Sequence, residues 1–190
     1  MNSICRIGDK TNWRPTYYGV QDLHVYRNLI NEIKEMDKTK AIFIANDIPE
    51  KEKLLSPKIV EMPIYGKNHL IDPNADNIEF SDDCHDIIHD GYTITYSLLQ
   101  LAVYMGFKEI YLLGADTNYV KKGPQHFIES GVVDPNYEIA RERMIRAYKV
   151  AKTFADNNGI RIYNATRGGH LEVFKRVNFD LLKLKDQKEV

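Results

Sequence analysis

Two threonines lie in a turn just before the most apolar helix that the sequence predicts. The stretch DGYTIT places Thr93 and Thr95 where that helix begins. The first N–H groups of a helix are unpaired and its dipole is positive there, so a phosphate group is favoured at such a position. Helix capping is the alternative use of the same two hydroxyl groups. The turn therefore predicts either a nucleotide-phosphate site or an ordinary capped helix start.

A long polar segment follows the next predicted strand and carries His126, with Tyr119 and two lysines nearby. Loops of this length in compact domains are usually functional or mobile. A histidine in such a loop could act as a general base, and a solvent-facing histidine is the alternative. Farther along, Arg167 precedes two glycines. Its guanidinium could pair with a phosphate or a carboxylate, or form a surface salt bridge.

Carboxylates also stand beside predicted strand ends, at Asp22, Asp47 and Asp116. They would serve as Mg²⁺ ligands if the chain transferred phosphoryl groups, whereas Asp22 and Asp47 are equally suited to capping helices. His85 and His89 are four residues apart, but no helix is predicted there and no acidic partner is indicated, so no zinc site is expected. Neither a G-x-G-x-x-G fingerprint, a P-loop nor a G-x-S-x-G motif occurs in the sequence.

Strands and helices are predicted to alternate along the chain, which indicates an α/β fold with a mostly parallel sheet. The run KAIFIAND does not alternate between apolar and polar residues, which is typical of a parallel strand buried on both faces. Ligands of such sheets bind at the carboxyl ends of the strands. That rule selects Gly114, Ala115 and Asp116, which end the strand EIYLLGAD.

The predicted elements come from periodicity, capping residues and β-forming runs. The strands are expected at Ser3–Ile7, TYYGV, KAIFIAND, IVEMPIY, EIYLLGAD and IRIYNAT. The helices are expected after Asp22, from about Thr95 to Met105, and after Asp134-Pro135, the last with a buried stripe of Ala140, Met144, Ala147, Ala151 and Phe154.

Size and composition predict one globular domain over residues 1–182 with a frayed tail over 183–190. The formal net charge of -1 gives no reason to expect a nucleic-acid partner. No apolar run approaches the roughly 20 residues that span a bilayer, and no secretory signal is recognisable. Cys5 and Cys84 are isolated from each other, which favours a reducing cytoplasm.

Three stretches, DKTNWRPTYYGVQD, YMGFKEIYLLGAD and RIYNATRGGHLEVFKRV, resemble the 6-hydroxymethylpterin diphosphokinase-like family. The likeness extends from Asn2 to about Phe179. It implies a Rossmann-like, three-layer fold. Members of that family are common in bacterial loci for surface polysaccharides, which implies a role in surface-polysaccharide or lipopolysaccharide biosynthesis.

The segment TITYSLLQLAVYMGFKEIYLLGAD is more distantly similar to the donor site of small bacterial sialyltransferases. Those enzymes use a CMP-linked nonulosonic acid and need no metal. The likeness implies that Thr93, Ile94 and Thr95 contact the nucleotide. It also implies that residues 114–116 lie beside the base and ribose, and that Asn2 contacts the donor.

The same likeness makes His126 the nearest counterpart of the catalytic histidine and Tyr119 the counterpart of a phosphate-binding tyrosine. Both families normally start with a strand and a G-N-G-P-S type loop that cradles the donor phosphates. This sequence starts after that point, at MNSICRI. A protein that begins upstream and a shortened, inactive form both stay open.

The expected function is therefore a metal-independent glycosyltransferase that moves a sugar from a CMP-activated donor to a glycan acceptor. One alternative is a diphosphokinase of the pterin type that uses Mg²⁺ and ATP. A second is a non-catalytic nucleotide-binding protein of a glycan-assembly locus. Homo-oligomerisation is left open.

Overall fold

The structure of the chain is a computed structural model that describes residues 2–49, 56–66, 78–118 and 137–186. Helices and parallel strands are mixed in it, as expected for an α/β protein. Its helices are a 3₁₀ helix at Asn2–Asp9, followed by α1 (Leu23–Lys34), α2 (Ile94–Tyr104), α3 (Tyr137–Asn157) and α4 (Phe179–Asp186).

The strands are short, and every strand pair within the described residues is parallel. They form sheets with the orders β1-β2-β3, β4-β5 and β6-β7-β8. Their bounds are β1 (Tyr17–Val20), β2 (Ala41–Ala45), β3 (Ile59–Met62), β4 (Ile64–Tyr65), β5 (Ile88–His89), β6 (Glu109–Leu112), β7 (Arg161–Asn164) and β8 (Lys175–Arg176).

Pro63 divides the segment IVEMPIY, which was predicted as one strand, into β3 and β4. Proline has no N–H group to give to a sheet, so a strand is interrupted where it occurs. The carbonyl of Pro63 accepts a hydrogen bond from the N–H of Ile88 at 2.9 Å. At the residue after the proline, the N–H of Ile64 donates to the side-chain oxygen of Asn46 at 3.2 Å. The segment thus changes partners at the proline.

The strand predicted at Ser3–Ile7 is wrong, because these residues belong to the 3₁₀ helix. That helix packs on α1, where Arg6 Nε donates to Glu32 Oε1 at 2.7 Å. Cys5 is buried and accepts a weak hydrogen bond from the Tyr18 hydroxyl, with 3.8 Å between oxygen and sulfur. Tertiary packing therefore overrides the β-forming tendency of the segment.

Helix α1 begins as predicted, because Asp22 caps it and accepts from the N–H of Val25 at 2.8 Å. Tyr26, Leu29 and Ile33 form its buried apolar face. These side chains pack with those of β1 and β2 in one core cluster. Helix α1 and strands β1 and β2 thus share one apolar core.

Helix α2 is anchored to the end of β5 by Gln100, a fully buried amide. Its Oε1 accepts from the N–H of His89 at 3.0 Å, and its Nε2 donates to the carbonyl of His89 at 2.7 Å. The helix also lies very close to β1, since a Cβ on Gly19 would be 2.8 Å from Leu98. These contacts fix where the first turn of α2 lies.

Helix α3 covers the second core cluster, and its predicted stripe is confirmed at Ala140, Met144, Ala147 and Ala151. Residues 134 and 135, where this helix was predicted to begin, lie outside the described residues. At the other end of the chain, α4 spans residue 182, the predicted domain boundary.

Cys5 and Cys84 are both buried and carry free thiols. No helix in the described part of the chain combines the length and the apolar composition needed to cross a membrane.

Candidate functional site

The turn before α2 has an unusual backbone. Gly91 and Tyr92 both have positive φ, +50° and +64°, and the N–H of Thr93 donates to the carbonyl of Asp90 at 3.1 Å. Two consecutive positive φ values are the mark of a type I′ turn. A Cβ on Gly91 would lie 2.2 Å from the Tyr96 ring, so only glycine fits. The chain thus enters α2 through a tightly determined turn.

Thr93 caps α2. Capping is one of the two uses that the sequence predicts for its hydroxyl group. Its Oγ1 accepts from the N–H of Thr95 at 3.3 Å. Among the described residues, no group accepts a hydrogen bond from the N–H of Ile94. An unpaired N–H group at the positive end of a helix dipole favours an anion. The capped helix start therefore keeps a donor for a ligand.

Tyr148, on α3, joins the start of α2 to the end of β6. Its buried hydroxyl lies close to the hydroxyls of Thr95 and Thr93. Burial, with a smaller contribution from the Asp116 carboxylate, raises the pKa of Tyr148 to about 12. The phenol therefore keeps its proton at neutral pH. The predicted residues Thr93, Thr95 and Asp116 thus surround one buried hydroxyl group.

The segment after β6 meets the segment after β7. The N–H of Ala115 donates to Thr166 Oγ1 at 3.1 Å. The carbonyl of Asp116 accepts from the N–H of His170 at 2.7 Å. A Cβ on Gly169 would lie 2.6 Å from the Cα of Asp116, so the backbones touch here. Gly114 itself has φ +72°; it lies two residues after the end of β6, with no atom within 4 Å of the position of a Cβ.

The loop after β7 is held by hydrogen bonds to its own backbone. Asn164 is buried, and its side chain accepts from the N–H of Thr166 at 2.9 Å and donates to the carbonyl of Leu171 at 2.7 Å. Arg176 donates to the carbonyls of Thr166 and Gly168 at 3.1 and 2.9 Å. These hydrogen bonds hold the loop in one conformation beside Asp116.

Helix α3 also brings Arg143 to the turn before α2. This arginine is 7% exposed, and its guanidinium lies 5.3 Å from the centre of the Tyr92 ring. Arg141, two residues nearer the start of α3, donates from Nε to the carbonyl of Thr117 at 3.2 Å. Cationic groups therefore lie beside both the α2 turn and the end of β6.

His89 lies immediately before the turn and is buried. Its Nε2 is 3.6 Å from Glu79 Oε2, and its Nδ1 has no hydrogen-bond partner in the described part of the chain. Burial lowers the pKa of His89, and the carboxylates of Glu79 and Asp90 oppose this only in part. The imidazole is therefore neutral at pH 7.

The structure places the predicted residues Thr93 and Thr95 at the Tyr148 hydroxyl, with the Asp116 carboxylate nearby. The guanidinium of Arg167 donates to Asp180 at 2.6 Å in an exposed ion pair. Asn2 begins the 3₁₀ helix that packs on α1. Tyr119 and His126 lie outside the described residues.

The three carboxylates considered as Mg²⁺ ligands have separate positions. Asp22 caps α1, Asp47 is exposed after β2, and Asp116 accepts from the N–H of Asn118 at 3.1 Å. Within residues 2–49, 56–66, 78–118 and 137–186, no three His, Cys, Asp or Glu side chains are grouped so that they could hold a metal ion.

Arg143 and Tyr148 are the site residues that sequence reasoning missed. The predicted stripe of α3 contained apolar residues only. Arg143 lies three residues after Ala140 and four before Ala147, so the helical period places it on the buried face. A charged residue in that position was the available signal.

No protein-family model matches this chain, and no curated protein or solved structure matches it either.

Proposed function

We propose that this protein is a glycosyltransferase of surface-polysaccharide or lipopolysaccharide biosynthesis. It would transfer a sugar, a nonulosonic acid in the first instance, from a CMP-activated donor to a glycan acceptor in the cytoplasm. The fold that we propose for it is a Rossmann-like, three-layer arrangement, an extension of the parallel α/β structure described above.

The observation that carries this proposal is that the start of α2 and the segment after β6 both lie close to the Tyr148 hydroxyl. Thr93 and Thr95 contact the Tyr148 hydroxyl, and Asp116 lies close to it. A helix start that favours phosphate and a strand end that carries a carboxylate are thus parts of one site. That pairing of groups suits a nucleotide, which has a phosphate at one end and ribose hydroxyls nearby.

In this proposal, the phosphate of the donor lies at the N–H of Ile94 and the hydroxyls of Thr93 and Thr95. The ribose and base lie along residues 114–116, where the Asp116 carboxylate accepts hydrogen bonds from ribose hydroxyls. Fixed donors around a leaving phosphate stabilise the charge that develops on it. Arg167 would bind the donor phosphate or carboxylate by exchanging its surface ion pair with Asp180 for the ligand.

The resemblance to sialyltransferases supplies the remaining roles. His126 would remove the proton from the acceptor hydroxyl, and Tyr119 would bind the donor phosphate. Asn2 would contact the donor. No metal is required in this reaction, because protein hydrogen bonds carry the charge of the leaving nucleotide.

The pterin-type diphosphokinase remains the alternative, with Mg²⁺ bridging the phosphates of ATP and Asp22, Asp47 and Asp116 as the candidate ligands. Asp22 already has a structural role, because it caps α1. A nucleotide-binding protein without catalytic activity is the other alternative. The three functions differ in their dependence on nucleotide and metal, so one set of experiments separates them.

The test is calorimetric titration with CMP, CDP, UDP, ADP and ATP, each with Mg²⁺ and with EDTA. It is followed by measurement of CMP release from a CMP-nonulosonic acid. The proposal expects selective CMP binding and turnover that both persist in EDTA. Strict dependence on Mg²⁺ and ATP would replace it with the kinase. CMP binding without turnover, tried with several glycan acceptors, would favour the non-catalytic protein.

Two cap variants make the site assignment specific. Thr93→Ala and Asp22→Ala each remove one helix cap, at a cost of about 1 kcal/mol of stability. The proposal expects Thr93→Ala to weaken CMP binding, while Asp22→Ala leaves CMP affinity unchanged. Equal weakening in both variants would show that loss of stability, and not loss of a ligand contact, is responsible.

A further inference from the structure

Arg143 is a buried cation without a carboxylate partner among the described residues. Its side chain is 7% exposed, and within the described ranges its Nε has no hydrogen-bond partner. The described contact of its guanidinium is the face of the Tyr92 ring, 5.3 Å away. Burying a charge without pairing it is costly. A ligand of opposite charge would offset this cost.

The position of Arg143 points to the start of α2. Tyr92, which it contacts, immediately precedes the cap residue Thr93. Arg143 and Tyr148 are five residues apart on α3, which corresponds to about 7.5 Å along a helix axis. Since Tyr148 lies close to Thr93 and Thr95 and Arg143 lies over the Tyr92 ring, α3 supplies a hydroxyl and a guanidinium to the segment that opens α2.

The start of α2 and Arg143 both favour negative charge. The N–H of Ile94 has no acceptor in the described part of the chain, and the helix dipole adds positive potential there. The nearby carboxylates have other partners: Asp90 accepts from the N–H of Tyr92 at 3.3 Å, and Asp116 accepts from the N–H of Asn118 at 3.1 Å. The Arg143 guanidinium and the N–H of Ile94 are thus both hydrogen-bond donors, and a ligand would supply the acceptor.

We infer that Arg143 and the first turn of α2 bind one phosphate group of a nucleotide, and that Arg143 determines the affinity for that group. A guanidinium suits this task because it gives two parallel hydrogen bonds to a phosphate. The inference rests on the proposed function for the identity of the nucleoside. The phosphate site itself is argued from Arg143, Tyr92 and the unpaired N–H of Ile94.

A ligand-binding role and a structural role for Arg143 predict opposite effects on the free protein. If the charge is held for a ligand, Arg143→Met removes an unpaired buried cation and raises the melting temperature of the ligand-free chain. If the contact with Tyr92 is structural, the same change lowers the melting temperature. The exposed Lys149 on the same helix provides a control, Lys149→Met, that removes an equal charge.

The experiment measures melting temperature and calorimetric affinity with inorganic pyrophosphate, CMP, AMP and cytidine as probes. For the wild-type chain, pyrophosphate and CMP bind and raise the melting temperature, and cytidine binds more weakly. Arg143→Met is expected to weaken CMP binding about 10- to 100-fold, the range for a charged hydrogen-bonded contact. Lys149→Met is expected to bind CMP like the wild type. Arg143→Lys, which keeps the charge but loses the planar fork, is expected to fall between the wild type and Arg143→Met.

The outcomes separate this inference from the proposed function. Pyrophosphate binding that requires Arg143, with no preference for CMP over AMP, supports the phosphate site and removes the CMP assignment. CMP binding that Arg143→Met and Arg143→Lys leave unchanged overturns the inference and retains the CMP assignment. A wild-type chain that binds neither pyrophosphate nor CMP overturns the inference. If Arg143→Met does not fold, Arg143→Lys decides, since it preserves the buried cation.

Discussion

At the scale of single residues, Gly91 is the position where the backbone tolerates least change. Its φ is +50°, and a Cβ there would lie 2.2 Å from the ring of Tyr96. Gly159 offers a matched control, because it has φ +65° but no atom within 4 Å of the position of a Cβ. The two glycines therefore separate the cost of backbone strain from the cost of a steric clash.

We expect Gly159→Ala to lower the free energy of unfolding by about 1 kcal/mol, the cost of a left-handed conformation for a residue with a side chain. Gly91→Ala is expected to cost about 3 kcal/mol, because overpacking adds to the strain. Urea unfolding measures both values. Equal losses in the two variants would contradict the tight packing of the turn against Tyr96.

His89 makes the stability of the protein depend on pH. Burial lowers its pKa below the ordinary value of 6.5, so between that value and the lower pKa the unfolded chain binds a proton that the folded chain does not. The free energy of unfolding is therefore highest above pH 6.5 and decreases as the pH falls through this range. Glu79 and Asp90 reduce the effect without reversing it.

Unfolding in urea at a series of pH values between 5 and 8 measures this dependence. We expect His89→Gln to flatten it, and His85→Gln, at an exposed position, to leave it unchanged. A free energy of unfolding that rises as the pH falls from 6.5 would mean that the folded protein favours the charged imidazole, contrary to the burial described here.

At the scale of elements, Gln100 determines how α2 meets β5. Its side chain is bonded to both backbone groups of His89, and it also accepts from the N–H of Ser81 at 3.0 Å. Gln100→Leu would leave these buried groups without partners, and we expect it to cost about 3 kcal/mol in unfolding free energy. Ser97→Ala, which removes one hydrogen bond to Gln21, should cost about 1 kcal/mol. If Gln100→Leu lowers the free energy of unfolding by less than Ser97→Ala does, the anchoring role of Gln100 is contradicted.

Element positions that depend on local signals could be predicted from the sequence. Asp22 and Thr93 cap their helices as expected, because a cap requires only a side-chain oxygen and the next N–H groups along the chain. The 3₁₀ helix could not be predicted, because its conformation is decided by packing on α1. The break at Pro63 had a local signal, since proline cannot donate to a sheet.

The candidate site was only half predictable for a similar reason. Rules about helix starts and strand ends select Thr93, Thr95 and Asp116 from the sequence alone. Tyr148 and Arg143 are added by the packing of α3 over these elements. Contacts between segments that are distant in the chain have no local sequence signal, apart from the presence of a charged residue on an otherwise apolar face.

At the scale of the whole molecule, α2 is packed between two parts of the core. Ile94 and Leu101 belong to a cluster with Phe43 and Ile88, whereas Leu99 packs with the side chains of α3. The start of α2 is therefore held from both sides. A ligand at this point would contact a helix start and a strand end that the whole fold keeps in place.

The most direct test of this account is amide hydrogen exchange of the wild-type chain with and without CMP. The account predicts that CMP slows exchange in two separate segments, residues 92–97 and 113–118, and leaves α1 unchanged. Slower exchange in both segments would show that the start of α2 and the end of β6 form one nucleotide site. Protection confined to one of them, or located in α1, would contradict that claim.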